Sequence, residues 1–255
     1  MNAPTNLVGD EVTSLILKQK LETPHVVSYK QQPMTERENI FTRIREALTV
    51  PAHGGGGGLP SVADHRRVMP PVGETDDEQL ALFARNAAEL KADFRVVNSR
   101  EEMVGQLRAL RQIEDWKSVG VHDGDLSRFA CNALGLPVCR TDGGYQAREL
   151  EACDAGITEC DALIAQTGSV LVTSRSAGGR ALSVLPPHHV VIARREQLLA
   201  DLPAAFEWLQ KKYGADQPSM ISLITGPSRT GDIERILVLG AHGPKKLTIF
   251  CLNGE

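Results

Sequence analysis

Two polar loops that contain arginine lie in the second half of the chain, and each follows a predicted strand. They span residues 174–180 and 226–234. Glycines let backbone N–H groups approach a ligand closely, and an arginine presents a planar fork of donors to a carboxylate or phosphate. Both loops are therefore candidate sites for a small anion. The candidate ligand-binding residues are Gly178, Gly179, Arg180, Gly226, Ser228, Arg229, Thr230, Asp232 and Glu234.

The loop at residues 226–234 allows two interpretations. Thr230 could cap a helical turn that begins at Gly231, which would leave free N–H groups for an anion. Alternatively, the loop is an ordinary connection between strands in which Arg229 and Asp232 pair with each other. Residue types alone leave both alternatives open.

The loop at residues 174–180 also has two interpretations. Its glycine amides and Arg180 could clamp an anion, or it is a solvated turn that Arg180 anchors to the sheet. Ligands of open α/β sheets bind outside the ends of strands, where these loops are expected. We therefore predict that Arg180 and Arg229 face one pocket.

Histidines supply the candidates for proton transfer. His188 and His189 begin a predicted strand, in which neighbouring side chains point to opposite faces, so only one can face a site; we choose His189. His242 lies in a glycine-containing loop, where an imidazole could act as a base or donate to an anion. The alternative for His242 is a hydrogen-bonded structural residue. The catalytic candidates are His189, His242 and Asp232, and the sequence does not decide among them.

The sequence offers no pattern for a metal centre or a serine hydrolase. No His, Asp or Glu group has a recognisable ligand spacing, and a GxSxG motif is absent. The five cysteines are widely spaced and include no CxxC pair. We therefore expect no metal, cofactor or iron–sulfur cluster in this chain, and we interpret the cysteines as buried structural residues.

Composition narrows the partners and the location. The net charge is -4 without a basic block, which argues against nucleic acid as a partner. No apolar stretch is long enough for a membrane span. An odd number of cysteines and the lack of a signal peptide predict a cytoplasmic location.

The chain is organised into four predicted segments. Residues 1–33 are interpreted as a flexible extension, residues 34–50 as a helix, residues 51–75 as a Gly/Pro-rich linker, and residues 76–255 as an α/β domain. The first helix has the capping-box pattern of Thr35 and Glu38. Five consecutive glycines without a following Gly-Lys-Ser/Thr indicate a linker, not a phosphate-binding loop.

Within residues 76–255, helix and strand patterns alternate at first and strands dominate later. Ser99 and Glu102 form a second capping-box pattern. Three strands at residues 156–160, 162–166 and 169–173 are expected to pair antiparallel, and residues 198–213 are expected to form a helix. Most strand patterns lack clean alternation, so the sheet should be covered on both faces.

Four motifs in a fixed order resemble those of the LUD family. They are Ala165–Val170 (AQTGSV), Gly179–Ser183 (GRALS) with Leu185–His188 (LPPH), Thr225–Glu234 (TGPSRTGDIE) and Gly240–Pro244 (GAHGP). The resemblance covers roughly residue 36 to the end. It implies an α/β fold like that of the NagB/RpiA/CoA transferase-like proteins, with helices on both faces of the sheet and an antiparallel, strand-rich segment.

The resemblance also implies a function. It suggests a bacterial cytoplasmic subunit of a system that oxidises L-lactate to pyruvate, with iron–sulfur clusters in partner proteins. Two alternatives remain: an independent enzyme on a phosphorylated or CoA-linked substrate, and a non-catalytic assembly or regulatory protein. Gln166 stands where coenzyme A transferases would offer a glutamate nucleophile, and an amide cannot replace that nucleophile.

Overall fold

A computed structural model describes residues 35–49, 70–233, 236–240 and 242–254. The chain divides into two units, residues 1–59 and residues 60–255. The predicted extension at residues 1–33 and the five glycines of the predicted linker lie outside the described residues. The helices are α1 (Glu36–Thr49), α2 (Asp76–Glu89), α3 (Arg100–Glu114), α4 (Asp125–Leu134), α5 (Ala147–Glu151) and α6 (Leu202–Tyr213). The strands are β1 (Asp93–Val97), β2 (Val119–Val121), β3 (Val138–Arg140), β4 (Ala155–Glu159), β5 (Ala162–Ile164), β6 (Ser169–Thr173), β7 (His188–Arg194), β8 (Leu198–Leu199), β9 (Ile221–Ile224), β10 (Arg229–Ile233), β11 (Ile236–Leu239) and β12 (Lys246–Leu252).

Helix α1 of the first unit begins with the predicted capping box. The Glu38 carboxylate accepts from the Thr35 amide at 2.8 Å, and the Thr35 hydroxyl accepts from the Glu38 amide at 3.3 Å. These bonds satisfy amides that a helix start otherwise leaves without a partner.

Six parallel strands form the main sheet of the second unit, in the order β1-β12-β7-β4-β2-β3. Its central strands are apolar and buried on both faces, as in β7, where Val190, Val191 and Ile192 are all inaccessible to solvent. Parallel sheets have this composition because both faces are covered. The prediction of a covered sheet is confirmed.

Different layers cover the two faces. On one face, side chains of α3 and α4 such as Leu107 and Leu126 pack on Ile192 and Phe250. On the other face, Phe83 of α2 and Val170 of a smaller sheet pack on strands β7 and β12. The smaller sheet has the order β8-β5-β6-β9, and α6 packs against its β5 and β6.

The prediction of three consecutive antiparallel strands is wrong for the first of them. Strands β5 and β6 do pair antiparallel through the turn at Thr167 and Gly168, where Gly168 has φ 62°. Strand β4 instead pairs in parallel with β2 and β7. Its partners are distant in sequence, so local patterns could not reveal them.

Two other sequence predictions are corrected. Helix α6 begins after Asp201, whose carboxylate accepts from the Ala204 amide at 2.8 Å, while Leu198–Leu199 form the separate strand β8. The Ser99 hydroxyl caps α3, but the Glu102 carboxylate accepts from the Asn98 amide at 2.8 Å, so it does not close the predicted box onto Ser99.

The loop at residues 226–234 is mostly strand. Residues from Arg229 onward form β10, which pairs antiparallel with β11, so Thr230 does not cap a helix. Strand β9 belongs to the smaller sheet and β11 belongs to this hairpin, so neither strand is part of the main sheet.

Candidate functional site

A cavity of about 310 Å³ lies at the amino ends of strands β7 and β12. His189 and Leu247, the second residues of these strands, are paired in register and form part of its wall. The other lining residues are Ser183, Val184, Ile224, Thr225, Gly226, Pro227, Ser228, Arg229, His242, Gly243 and Pro244. Ligands of open α/β sheets usually bind at the carboxyl ends of the strands. This cavity lies at the opposite, amino ends of β7 and β12.

Backbone hydrogen bonds hold the two lining loops together. The Ser228 amide donates to Pro244 O at 2.9 Å, and the Gly240 amide donates to Ser228 O at 2.9 Å. Gly226 has φ 78°, and a Cβ there would lie 2.7 Å from Leu90 O. Only glycine combines this left-handed backbone with such a close approach, so Gly226 seats the loop against the end of α2.

Arg229 has an anchoring role as well as a place in the cavity wall. Its Nη2 donates to Leu90 O at 3.0 Å, and Leu90 is the C-cap of α2. The end of a helix exposes carbonyl groups with partial negative charge, which favour a cation. Because a carbonyl is neutral, this bond positions the guanidinium without cancelling its charge.

His189 is the most deeply buried polar residue of the cavity wall, with 1% of its surface exposed. Its Nε2 and the Thr158 hydroxyl share a hydrogen bond of 2.9 Å, while its Nδ1 is buried without a partner. Burial, together with the neighbouring His188, lowers the pKa of His189 to about 3. The ring is therefore neutral at physiological pH.

His188 points to the other face of the sheet, as strand alternation requires. Its ring packs edge-on against Trp116 with centroids 5.1 Å apart, and its Nε2 shares a 2.9 Å hydrogen bond with the Thr248 hydroxyl. Burial lowers the pKa of His188 to about 4. Of the two neighbouring histidines, His189 lines the cavity and His188 does not.

The structure separates the two arginines that were expected to share a pocket. Arg180 donates from Nη2 to Ser219 O at 2.6 Å and does not line the cavity that Arg229 lines. Gly178 has φ 61°, and a Cβ there would lie 2.2 Å from His122 Cβ, so this glycine serves packing. Gly179, with φ 103°, is also outside the cavity.

The remaining candidates divide into three groups. Gly226, Ser228 and His242 line the cavity, and the His242 side chain is exposed. Thr230 and Asp232 belong to β10, and Glu234 lies outside the described residues. Sequence reasoning missed Ser183 and Leu247, because nothing in their local patterns shows that they border the same space.

The described wall of the cavity carries one permanent positive charge. Among its described lining residues, Arg229 is the one permanent charge, and none is a carboxylate. Gln166 lies elsewhere, with its side-chain amide donating to Pro70 O at 2.8 Å. In the described part of the chain, no group of three His, Cys, Asp or Glu side chains could hold a metal ion.

Fold and site together define an α/β protein whose parallel main sheet carries a small cationic cavity at the amino ends of its strands. The chain belongs to the LUD domain family, whose family model matches residues 80–252. This match confirms the resemblance indicated by the four motifs.

Similar proteins include two named lactate utilization protein C. That of Bacillus velezensis is 26% identical over 237 residues, covering 86% of this chain and 97% of the relative. That of Oceanobacillus iheyensis is 32% identical over 194 residues, covering 71% of this chain and 82% of the relative. A crystal structure of a DUF162 family protein from Deinococcus radiodurans has a TM-score of 0.56 at 21% identity, covering 71% of this chain and 99% of that one. This similarity shows a shared α/β fold.

None of the helices in the described part of the chain is long and apolar enough to cross a membrane.

Proposed function

We propose that this chain is a cytoplasmic subunit of a system that oxidises L-lactate to pyruvate together with iron–sulfur partner proteins. The observation that carries the proposal is the relationship to proteins named lactate utilization protein C, one of which aligns over 97% of its own length. The alignment spans nearly the whole relative, so the similarity is not confined to a single motif.

Within this system, the cavity beside Arg229 binds a small anion or anionic cofactor. Support comes from Arg229 together with the polar residues Thr225, Ser228 and His242, which all line one cavity. A fold of the NagB/RpiA/CoA transferase-like type is part of the proposal. It is supported by a parallel sheet that is interrupted by an antiparallel segment.

The electron-transferring clusters are assigned to the partner proteins. Four of the five cysteines are buried, and all five are free thiols. Burial raises the pKa of Cys153 and of Cys251 to about 11, so their thiolate forms, which metals bind, are disfavoured.

Deletion of the gene tests this function. The deletion strain is expected to lose growth on L-lactate as sole carbon source, to grow normally on glucose, and to recover when the full chain is supplied in trans. A tagged full chain should also co-purify with proteins that contain iron and acid-labile sulfide. Unimpaired growth of the deletion strain on L-lactate would contradict the proposal.

A further inference from the structure

Two chemically different groups border the same small cavity. Arg229 is permanently charged, whereas His189 is buried and offers a polar atom, Nδ1, that has no partner. We propose that the cavity takes a small 2-hydroxy or 2-oxo monocarboxylate, with its carboxylate at Arg229 and its 2-oxygen at His189 Nδ1. This inference rests on the proposed function and narrows its ligand from a small anion to one chemical class.

The carboxylate end of the ligand is matched by Arg229. A guanidinium has five N–H donors, and the bond to Leu90 O uses only Nη2. That bond restrains the side chain of a residue that lines the cavity, so less side-chain freedom is lost when a ligand binds. No carboxylate among the described lining residues competes for the guanidinium.

The 2-oxygen of the ligand is matched by His189. Whichever way the hydrogen bond to the Thr158 hydroxyl runs, Nδ1 is left as an unpaired buried acceptor or donor. A threonine hydroxyl can donate or accept, so the ring can adopt either tautomer. One tautomer accepts from a 2-hydroxyl and the other donates to a 2-oxo group, so both forms of the acid can supply the missing partner.

The rest of the wall favours a small ligand with one charge. Val184, Ile224 and Leu247 provide apolar surface that suits the methyl group of a three-carbon acid. A volume of about 310 Å³ is near the lower end of the range for small-molecule pockets. Because burial keeps the pKa of His189 far below neutrality, the ring adds no second positive charge for a dianion.

Isothermal titration calorimetry on the full chain tests the assignment with four ligands: L-lactate, pyruvate, propionate and inorganic phosphate. Propionate has the size and charge of lactate but lacks the 2-oxygen. We expect L-lactate or pyruvate to bind at least tenfold more tightly than propionate and phosphate. The proposal is overturned if propionate binds as tightly as both acids, if phosphate binds most tightly, or if none of the four binds.

A matched pair of variants tests whether His189 provides the preference for a 2-hydroxy or 2-oxo acid over propionate. His189→Phe should reduce the preference for the 2-substituted acid over propionate to less than threefold. His188→Phe, altered at the neighbouring buried histidine on the opposite face, should retain it. Retained selectivity in folded His189→Phe would overturn the assignment of His189. If His189→Phe does not fold, the four-ligand series on the unaltered chain decides alone.

The outcomes for this inference and for the proposed function are separable. If deletion of the gene abolishes growth on L-lactate but propionate binds as tightly as L-lactate and pyruvate, the ligand assignment fails and the proposed function stands. If the chain selects the 2-substituted acid but deletion leaves growth on L-lactate intact, the proposed function fails instead.

Discussion

At the residue scale, glycines with left-handed backbones decide where the loops lie. Gly226 brings one loop against Leu90 O, and Gly178 brings the other against His122. At each position an added methyl group would clash with a neighbouring atom, and the φ angle would be unfavourable for any other residue. The two loops can therefore lie close to their neighbours only because these positions are glycine, and other residues cannot replace them.

Replacing Gly178 with alanine should destabilise the protein by about 2–4 kcal/mol, because a left-handed backbone and an overpacked contact both add cost. Gly105→Ala is the control, since Gly105 lies on the exposed side of α3 with no atom within 4 Å of an added Cβ. It should stabilise by about 0.5–1 kcal/mol. Urea unfolding measures both changes, and equal stability of the two variants would refute the packing role of Gly178.

The individual site residues were only partly predictable from sequence. Strand alternation separates His189 from His188, and this local rule holds in the structure. The positions of Arg180 and Arg229 depend on the carbonyls of Ser219 and Leu90, which are 39 and 139 residues away in the chain. No local pattern contains that information.

At the element scale, β7 carries two buried neutral histidines into the centre of the main sheet. Their folded-state pKa values, about 4 for His188 and about 3 for His189, lie below the ordinary value of 6.5. The unfolded chain therefore binds protons more readily than the folded chain in this range. Their contribution to stability is complete above about pH 6.5 and is lost as the pH falls toward 4.

His188→Phe should make stability less sensitive to acid. Each histidine that is protonated only on unfolding contributes a slope of about 1.4 kcal/mol per pH unit. The free energy of unfolding, measured in urea from pH 6 to pH 5, should fall less steeply in the variant by about that amount. An unchanged slope would mean that His188 is already protonated in the folded protein.

Two element predictions that depend on neighbouring residues are confirmed, whereas the predicted capping box between Ser99 and Glu102 does not close, although these residues are also neighbours. The capping box at Thr35 and the turn at Gly168 depend on residues a few positions apart, and both are present. Strand β4 depends on partners that are distant in sequence, and the antiparallel pairing predicted for it is wrong. Leu198–Leu199 fits a helical apolar pattern but pairs with β5 instead.

At the scale of the whole molecule, the amino ends of β7 and β12 are where the separate parts of the second unit meet. The main sheet contributes His189 and Leu247, the smaller sheet contributes Ile224, and hairpin β10–β11 begins at Arg229. The cavity therefore exists only when these parts are assembled. An assembled site of this kind would connect the family fold to the use of lactate.

Growth of the deletion strain on L-lactate, with Arg229→Ala supplied in trans, tests whether this cavity is the working site. Loss of the bond to Leu90 should cost only about 1 kcal/mol, so the variant should be folded and as abundant as the unaltered chain. Growth should nevertheless be abolished, and Arg229→Lys should restore only part of it, because an ammonium lacks the planar fork.

The control is Arg108→Ala, which removes a similar bond from an arginine to a helix-end carbonyl, Ala133 O, away from the cavity. It should support normal growth on L-lactate. Of these two alanine variants, only Arg229→Ala is expected to lose growth on L-lactate, with both proteins equally abundant on immunoblots. Normal growth with Arg229→Ala would show that the cavity is not the working site.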